Sequence, residues 1–300
     1  MSRLMRRLAA ISIVAVLAAV AAGCGGGSDG GGSTSTAAKN TCAKDQLNLV
    51  TPGKLTIATG NPSYPPWYEG GESLGSPFKV DDPANGQGYE SAVAYAIANK
   101  LGFSEDQVEW LPVAFNLTFK PGPKNFDFAM QQISYNKQRA QAVDFSDSYY
   151  DVNQALVALE DKPIANATSI ADLKSAKLGA VVGTTSYQYI IDNIEPEDQP
   201  LVFDTLDANV AALKNGQIDG LVTDFPTAYY IANVQLSNAK LVGRFPTAGS
   251  QEYFGLTFEK GNSLAGCVNK AIATLKANGT LDELEQKWIT SKAHAPLIKK

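Results

Sequence analysis

The sequence predicts an α/β protein made of two lobes joined by two extended segments. Strand, helix and strand patterns alternate through the first half of the chain and begin again after residue 160. Two extended apolar segments, residues 154–159 and 253–258, separate the two sets of patterns. At 300 residues, with 44% hydrophobic and 18% charged content, the chain is long enough for two hydrophobic cores. We therefore expect one lobe formed by both ends of the chain, residues 42–153 plus 248–300, and a second lobe, residues 154–247, inserted between them.

The first lobe is predicted to have parallel strands connected by a helix. Residues 54–59 alternate as a strand does and end at Gly60. Strands are also predicted at residues 108–112 and 126–130, and a helix is predicted between Gly88 and Gly102. The helix carries an apolar stripe at the spacing of a core-facing surface, formed by Tyr89, Val93, Ala96, Ile97 and Leu101.

The second set of patterns has the same form. Strands are predicted at residues 177–182, 201–203 and 218–222. One helix is predicted from Tyr187 onward, and another between the second and third of these strands, with Gly216 as its stop. The alternation again indicates parallel pairing with crossover helices.

Two helices are predicted at the end of the chain. Ser263 is expected to cap the first of them. Thr280 is expected to cap the second, with Glu283 three residues later as its capping-box partner. Trp288 is expected to bury the far end of this last helix.

The first 41 residues are predicted to lie outside both lobes. Three arginines precede an almost continuous apolar run at residues 8–22, which is shorter than the roughly 20 residues that cross a bilayer comfortably. Residues 1–23 are therefore interpreted as an export signal, and the small residues before Cys24 resemble the lipobox of bacterial lipoproteins. Lipidation of Cys24 or an uncleaved anchor would both hold the protein outside the cytoplasmic membrane. Residues 24–41 are rich in glycine and serine and are predicted to be a flexible tether.

The charge of the chain argues against a nucleic-acid ligand. Removing residues 1–23 takes away three of the 25 basic residues and none of the 30 acidic ones, which leaves a net charge of −8. No basic stripe remains that could follow a phosphate backbone. Nucleic acid is therefore not an expected partner.

The cysteines suggest a disulfide. Three are present, and lipidation of Cys24 would leave Cys42 and Cys267 as a pair in an oxidising compartment. A bridge between them would tie the two ends of the chain into one lobe. The alternative is two unpaired buried thiols.

The candidate ligand site is centred on the strand at residues 126–130. This strand ends in polar side chains, Gln131, Gln132 and Ser134, and Arg139 follows about one helical turn later. A guanidinium presents a rigid pair of donors that suits a carboxylate, although a lone arginine on a surface helix is the alternative. Polar residues also follow other predicted strands, at Asn61, Gly183 to Ser186 and Asp224. Ligands of open α/β sheets bind at these carboxyl ends of strands.

A loop rich in aromatic residues, Tyr64-Pro65-Pro66-Trp67, follows the first strand. Its rings are expected either to pack beneath the fold or to line a pocket, and we favour the pocket.

Several short motifs between about residue 54 and residue 288 are similar to those of the family 3 extracellular solute-binding proteins, the amino-acid receptors of ABC importers. The resemblance implies the type II periplasmic-binding-protein fold, with two crossover strands as a hinge and the ligand in the cleft between the lobes. The motifs are Tyr64-Pro65-Pro66-Trp67, Ile133-Ser134 with Arg139, Val143-Asp144-Phe145-Ser146-Asp147, Asp172-Leu173-Lys174, Val182-Gly183-Thr184-Thr185, Gly216-Gln217-Ile218-Asp219, and Gly279-Thr280-Leu281 with Lys287-Trp288.

The same resemblance implies a role for each charged group of the site. Arg139 would bind the α-carboxylate of an amino acid, and the backbone N–H of Thr185 would add a donor at a helix start. Asp224 would take the α-ammonium, with a turn or cap as its alternative role. Ser134 and the backbone near Gln132 would complete the two charged ends.

Further positions would line the predicted pocket. Tyr64 would lie against the ligand side chain, with Trp67 and Phe115 as further walls. Thr184 belongs to the predicted binding set, although capping of the helix by Thr184 or Ser186 is the alternative.

Three positions depart from the pattern of the family. Asn61 stands where relatives that take cationic side chains often have a carboxylate, which Glu69 or Glu252 could restore. Gln131 and Gln132 stand where small residues are common, so their amides would fill the pocket or bind a polar ligand side chain.

The sequence thus favours a monomeric, lipid-anchored receptor on the outer face of the bacterial membrane or in the periplasm. It would pass a polar amino acid to an ABC permease, with no cofactor or metal. Two alternatives use the same scaffold: an enzyme similar to cyclohexadienyl dehydratase, and a ligand-binding subunit of a sensor. Against the enzyme, no metal-ligand spacing or nucleophile motif occurs, and the only histidine is His294, near the end of the chain.

Overall fold

Two five-stranded sheets and a two-stranded ribbon form the frame of the structure, a computed structural model that describes residues 42–290 and 295–300. The strands of this part of the chain are β1 (Leu55–Thr59), β2 (Val108–Pro112), β3 (Phe128–Ala129), β4 (Asp144–Phe145), β5 (Tyr150–Val152), β6 (Gln154–Leu159), β7 (Leu178–Val181), β8 (Leu201–Phe203), β9 (Gly220–Asp224), β10 (Ala239–Arg244), β11 (Glu252–Phe254) and β12 (Thr257–Phe258).

Helices connect the strands and cover the sheets. They are α1 (Tyr89–Lys100), α2 (Phe115–Thr118), α3 (Arg139–Ala142), α4 (Thr185–Tyr189), α5 (Leu206–Lys214), α6 (Phe225–Tyr230), α7 (Leu264–Ala277) and α8 (Thr280–Glu285). Three of them continue into wider π turns, α4 at Ile190–Ile194, α6 at Ile231–Gln235 and α8 at Gln286–Thr290.

The first sheet has the strand order β2-β1-β3-β12-β4. The central strand β1 pairs in parallel with both β2 and β3, as the strand and helix pattern predicts. Every residue of β1 is buried, which is typical of a parallel strand covered on both faces. The apolar faces of α1 and α7 pack with β1 in one core, which includes Ile57, Val93 and Val268.

The second sheet has the strand order β10-β6-β9-β7-β8. β7 is parallel to β8 and β9, whereas β6 runs antiparallel to both of its neighbours. All six residues of β6 are buried. Because successive side chains of a strand point to opposite faces, Leu156 packs in one core and Val157 in another on the far side of the sheet.

A short antiparallel ribbon formed by β5 and β11 connects the two sheets. The sequence placed the two crossings at residues 154–159 and 253–258. In the structure, residues 154–159 form β6 within the second sheet, so the outward crossing lies just before them, at β5. The returning chain passes through β11 and enters the first sheet at β12, close to the predicted place.

The last six residues do not belong with the first lobe, to which residues 248–300 were assigned. Leu297 bridges to Arg244 of β10, and Lys299 bridges to Ser169. Ile298 is buried in a core of the second sheet. The physical reason is that these residues continue the edge of the second sheet and bury an apolar side chain there.

The predicted helix ends are correct in position but partly wrong in mechanism. Ser263 lies at the N-cap of α7, yet its side chain makes no capping hydrogen bond. The last helix is capped by Gly279 in a left-handed conformation, and the expected capping box between Thr280 and Glu283 does not form. Instead, the N–H of Thr280 donates to Oδ1 of Asn278 at 3.1 Å. Trp288 is buried, as predicted.

The predicted disulfide between Cys42 and Cys267 is confirmed, and it ties the segment before β1 to helix α7. The predicted export signal, the tether and Cys24 lie outside the described residues, as does His294. Across residues 42–290 and 295–300, no helix has the length and apolar character needed to cross a membrane.

Candidate functional site

A cavity of about 470 Å³ lies where the carboxyl ends of strands from the two sheets face each other. Residues after β1 and β3 form one side, and residues after β7 and β9 form the other. The structure brings together every residue of the predicted binding set except Trp67. The cavity is lined by Asn61, Tyr64, Gln132, Ser134, Arg139, Thr184, Thr185 and Asp224, and also by Phe115.

Arg139 lines this cavity and is almost fully buried, with 6% of its surface exposed. Its Nη1 donates to the backbone carbonyl of Ser134 at 2.6 Å, and its Nη2 donates to the carbonyl of Gly183 at 2.7 Å. The guanidinium carbon also lies 4.3 Å from the ring centre of Phe119 and 5.3 Å from that of Phe115. Burial lowers the pKa of Arg139 to about 10, so the side chain stays cationic at neutral pH. The result is a rigid cation that touches both halves of the site.

Glu252 accepts hydrogen bonds from the side-chain hydroxyls of two predicted site residues, Ser134 and Thr185. Ser134 Oγ and Thr185 Oγ1 each donate to Oε1 of Glu252 at 2.6 Å. Nε2 of Gln154 donates to both carboxylate oxygens, at 3.1 and 3.0 Å. The charge of Glu252 acts on Arg139 by raising its pKa against the effect of burial. A carboxylate supplied by β11 therefore uses the donors that an anionic ligand group would need.

Asp224 ends β9 and caps α6, because its Oδ1 accepts from the N–H of Thr227 at 3.0 Å. The predicted cap role thus exists, and the same carboxylate also lines the cavity. Burial, with a smaller contribution from the charge of Glu252, raises the pKa of Asp224 to about 6. A positive group in the cavity would favour the ionised form of Asp224.

Tyr64 crosses the cavity from the first sheet to the second. Its hydroxyl donates to Oδ2 of Asp207 at 2.6 Å, and Asp207 belongs to α5. Burial, followed by this hydrogen bond, raises the pKa of Tyr64 above its usual range. The ring therefore forms a wall of the cavity in a position fixed from both sides.

Trp67 does not line the cavity, contrary to the prediction. Its ring is 1% exposed and packs edge-on against Tyr89, Tyr150 and Phe254, with ring centres 5.4 to 6.1 Å away. The turn at residues 64–67 sends the two rings in different directions, Tyr64 into the cavity and Trp67 into the core. Its Nε1 still reaches the second sheet, where it donates to Oγ1 of Thr227 at 2.9 Å.

Gln132 is held by a buried carboxylate that the sequence argument did not identify. Its backbone N–H donates to Oε1 of Glu90 at 2.8 Å, and its side-chain amide also contacts Glu90. Gln132 has a positive φ of 47°, which is unusual for this residue type. Glu90 is 0% exposed, and burial raises its pKa to about 7. No motif marked Glu90, because it lies within the apolar stripe of α1.

The amide of Asn61 is already used by the structure of its own loop. Its Nδ2 donates to the carbonyl of Pro77 at 2.9 Å, and its Oδ1 accepts from the N–H of Lys79 at 2.9 Å. Thr184 caps α4 by accepting from the N–H of Tyr187 at 3.2 Å. Both residues thus border the cavity while serving the backbone around it.

Two amide oxygens in the lining are buried without a hydrogen-bond donor among the described residues. They are Oε1 of Gln131 and Oε1 of Gln154. The sequence marks Gln131 as a pocket residue and Gln154 only as the start of an extended segment. An N–H group of a ligand would satisfy either oxygen.

The charges around the cavity are mainly negative. Arg139 is the only cationic side chain among the described lining residues, whereas three carboxylates, Asp204, Asp207 and Asp224, line the same cavity. Elsewhere in the described ranges, no cluster of three or more Cys, His, Asp or Glu could hold a metal ion. The arrangement suits a small ligand that carries one anionic group and at least one cationic group.

Known proteins with similar sequences and structures include several amino-acid-binding proteins. The glutamine-binding protein of an ABC transporter in Bacillus subtilis (strain 168) is 30% identical over 217 residues, which cover 71% of this chain and 77% of that protein. An ancestral arginine-binding protein, solved with bound glutamine, is 29% identical with a TM-score of 0.64 and covers 79% of this chain and 98% of that one. An ancestral amino acid-binding protein, described as a precursor of cyclohexadienyl dehydratase, is 26% identical with a TM-score of 0.63 and covers 79% and 96% of the two chains.

The structural neighbours confirm the predicted fold, a two-lobed α/β architecture of the type II periplasmic-binding-protein class. Residues 71–291 match the family described as bacterial extracellular solute-binding proteins, family 3. Together with the sequence relative in Bacillus subtilis, this match shows that the chain belongs to family 3 of the bacterial extracellular solute-binding proteins.

Proposed function

We propose that this protein is an extracellular receptor that binds one amino acid and delivers it to an ABC importer. The observation that carries the proposal is that Arg139 and Asp224, contributed by segments next to different sheets, line one cavity of about 470 Å³. An amino acid carries one charge of each sign, so both groups can be paired by a single small molecule. The relatives named for binding glutamine and arginine support this choice.

The ligand carboxylate would bind beside Arg139 and take the hydroxyl donors of Ser134 and Thr185. These hydroxyls donate to Glu252 in the structure, so the carboxylate of Glu252 would have to give way. The ligand ammonium would pair with Asp224. The ring of Tyr64 would lie along the ligand side chain.

A polar side chain that donates hydrogen bonds fits the remaining surface best. Gln131 and Gln154 each offer a buried acceptor oxygen that has no donor among the described residues. The excess of carboxylates over cations in the lining disfavours an acidic side chain. Amide, guanidinium and ammonium side chains all meet these conditions.

We expect two lobes that move relative to each other about a hinge at β5 and β11. One lobe would consist of residues 42–153 and 248–290, and the other of residues 154–247 and 295–300. Residues 1–23 would direct export, Cys24 would carry lipid, and residues 24–41 would tether a monomer to the outer face of the membrane. These N-terminal segments lie outside the described residues.

Two other functions could use the same cavity. A dehydratase would be indicated by turnover of prephenate or arogenate, and the ancestral neighbour that precedes such an enzyme is the reason to test it. A sensor subunit would bind the same ligand and pass its closed form to a membrane kinase. The binding function is preferred because the named relatives are binding proteins.

A thermal-shift screen of the twenty amino acids, followed by calorimetry, tests the proposal. We expect one amino acid, or a few related ones, to raise the melting temperature, and we expect aspartate and glutamate to have no effect. An absence of stabilisation by all twenty would contradict the proposed function.

Arg139→Ala tests the assigned geometry. We expect it to weaken binding by about 3–5 kcal/mol, because the ligand carboxylate would be left buried without its partner. Arg244→Ala, which removes an exposed arginine of β10, is the matched control and should leave the affinity unchanged. A loss of less than about tenfold for Arg139→Ala, which corresponds to about 1.4 kcal/mol, would remove Arg139 from the site.

A further inference from the structure

A second cavity, of about 350 Å³, lies apart from the principal one. Its walls come from the loop after β1, from α6 with its π turn, and from the π turn after α8. None of its described lining residues also lines the principal cavity. Prolines and aromatic rings form much of the lining, with Tyr229, Tyr230 and Trp288 among them. A cavity of this size can enclose a small organic molecule.

Two buried polar atoms of this lining have no hydrogen-bond partner among the described residues. Asp81 is 5% exposed, and its Oδ1 accepts from the N–H of Gly71 at 2.8 Å, whereas its Oδ2 has no donor. Trp288 is 9% exposed, and its Nε1–H has no acceptor. A buried polar group without a hydrogen-bond partner is unfavourable, and more so when it is charged. The second cavity therefore presents an acceptor and a donor that a ligand would satisfy.

The described lining of this cavity contains two carboxylates and no lysine or arginine. Glu69 lines it together with Asp81. Burial raises the pKa of Asp81, and the charge of Glu69 contributes to the rise. In the part of the chain that the structure describes, no lysine or arginine forms an ion pair with Asp81. A cation beside Oδ2 of Asp81 would favour the ionised form of Asp81.

The surroundings of the carboxylates favour an organic cation. No group of three or more metal-binding side chains is present among the described residues, so a metal ion has too few ligands. The faces of Tyr229 and Tyr230 can attract a cation through their ring electrons. One face of Trp288 is already covered by Lys287, whose Nζ lies 4.4 Å from the ring centre.

We propose that the second cavity is a binding site for a small organic ammonium ion that carries at least one N–H. The N–H would donate to Oδ2 of Asp81, and the apolar part of the ligand would lie against Tyr229 and Tyr230. A hydroxyl on the ligand would accept from Nε1 of Trp288. The site is separate from the amino-acid cavity and does not depend on the function proposed for that cavity.

Calorimetry with cyclohexylammonium chloride and the purified full chain tests this site. Cyclohexanol is the neutral control, because it keeps the ring and replaces the cation with a hydroxyl. We expect saturable binding of the cation and binding of the alcohol that is weaker by about tenfold or more. Equal binding of the two compounds, or no saturable binding of the cation, would overturn the proposal.

Matched variants locate the binding. Asp81→Asn keeps an oxygen for the N–H of Gly71 and removes the charge, so cation binding should fall by about tenfold or more. Asp224→Asn makes the same change in the principal cavity and should leave cation binding unchanged. The opposite result, with loss only in Asp224→Asn, would mean that the cation occupies the amino-acid cavity.

Tyr230→Leu provides a second test in case Asp81→Asn folds poorly. Tyr230 is only partly buried, and this change keeps both carboxylates and an apolar side chain. It should weaken cation binding by about threefold or more, in line with the loss of a cation–π contact. If Asp81→Asn and Tyr230→Leu both bound the cation with the affinity of wild type, this cavity would be excluded as the binding site.

Discussion

Glu252 is the residue whose position most changes the expected chemistry of the site. Its carboxylate accepts from hydroxyls on both sides of the cavity, Ser134 after β3 and Thr185 at the start of α4. A ligand carboxylate that needs the same donors would meet a like charge. We therefore expect Glu252 to compete with the carboxylate of a ligand for these hydroxyl donors.

Replacing Glu252 with glutamine should tighten amino-acid binding by about tenfold, because a charge of the same sign as the ligand carboxylate is removed. The shape of the side chain and its acceptor oxygen are kept. Calorimetry with the amino acid found in the thermal screen would measure the change.

The matched control is Glu160→Gln, an exposed glutamate directly after the far end of β6. It should leave the affinity unchanged. A weaker affinity in Glu252→Gln would show the opposite role for Glu252, namely recognition of a cationic group of the ligand.

Asp224 should make binding depend on pH. Burial raises its pKa to about 6, and only the ionised carboxylate can pair with a ligand ammonium. At pH 5 about a tenth of Asp224 would be ionised, so the affinity should be about tenfold weaker than at pH 7.5. Calorimetry at the two pH values would measure this ratio.

Asp224→Asn is the control for this effect. The variant should bind more weakly at both pH values and should lose most of the dependence on pH. If the variant showed the same ratio of affinities at the two pH values as wild type, another titrating group would have to be responsible.

At the scale of elements, helix α1 supports the binding loop from behind. Glu90 of α1 accepts the backbone N–H of Gln132, in the loop after β3, at 2.8 Å. This bond holds Gln132 in its positive-φ conformation and so fixes the direction of the loop toward Ser134. The cost is a buried carboxylate, whose pKa burial raises from its ordinary value of 4.5 to about 7.

This raised pKa predicts how stability depends on pH. The folded protein binds the proton of Glu90 more tightly than the unfolded chain does, so the stabilisation is complete below pH 4.5 and is lost as pH rises through about 7. The difference between the two pKa values corresponds to about 3 kcal/mol of unfolding free energy, at roughly 1.4 kcal/mol for each pKa unit. Urea unfolding at pH 4.5 and pH 8 measures this effect. Between the two pH values, the free energy of unfolding of wild type should fall by about 3 kcal/mol more than that of Glu90→Gln.

Glu105→Gln, which changes an exposed glutamate before β2, is the control. Its unfolding free energy should fall between pH 4.5 and pH 8 by the same amount as that of wild type. Equal losses in wild type and Glu90→Gln would show that the proton on Glu90 does not contribute to folding.

Periodic apolar patterns predicted the elements well, and local polar signals predicted their ends less well. Helix α1 begins and ends within a residue of its prediction, because its stripe and its flanking glycines agree. The cap of α8 was misassigned, because Asn278 and Gly279 supply the turn before Thr280 can. Trp67 was misplaced because a loop sequence does not show which way a ring turns.

At the scale of the whole molecule, the site could be predicted where a local motif and a strand end coincide. Thr185 belongs to a motif that follows β7, Arg139 belongs to a motif that follows β3, and Asp224 ends β9; the fold brings all three to one cavity. Glu90 could not be predicted in this way, and Glu252 was named only as a possible substitute for the carboxylate that Asn61 lacks. Glu90 reaches the site from a core helix, and Glu252 reaches it from the returning connection between the sheets, so their contacts exist only after the chain has folded.

The two ends of the described chain are secured to different sheets. The disulfide holds Cys42, before β1, to Cys267 in α7, beside the first sheet. The last six residues extend the edge of the second sheet instead. The disulfide should therefore stabilise the first sheet and its helices without shaping the cavity, since neither cysteine lines it.

A variant with both cysteines replaced, Cys42→Ser with Cys267→Ser, tests this separation. It should lose about 3–5 kcal/mol of unfolding free energy, because the unfolded chain would no longer be constrained by a closed loop spanning most of its length. Its affinity for the amino acid should stay within about twofold of wild type, measured at a temperature where both are folded. Reductant should destabilise wild type and leave the variant unchanged. If wild type and the variant had equal unfolding free energies without reductant, the disulfide would not stabilise the fold. A large loss of affinity in the variant would show that the disulfide shapes the cavity.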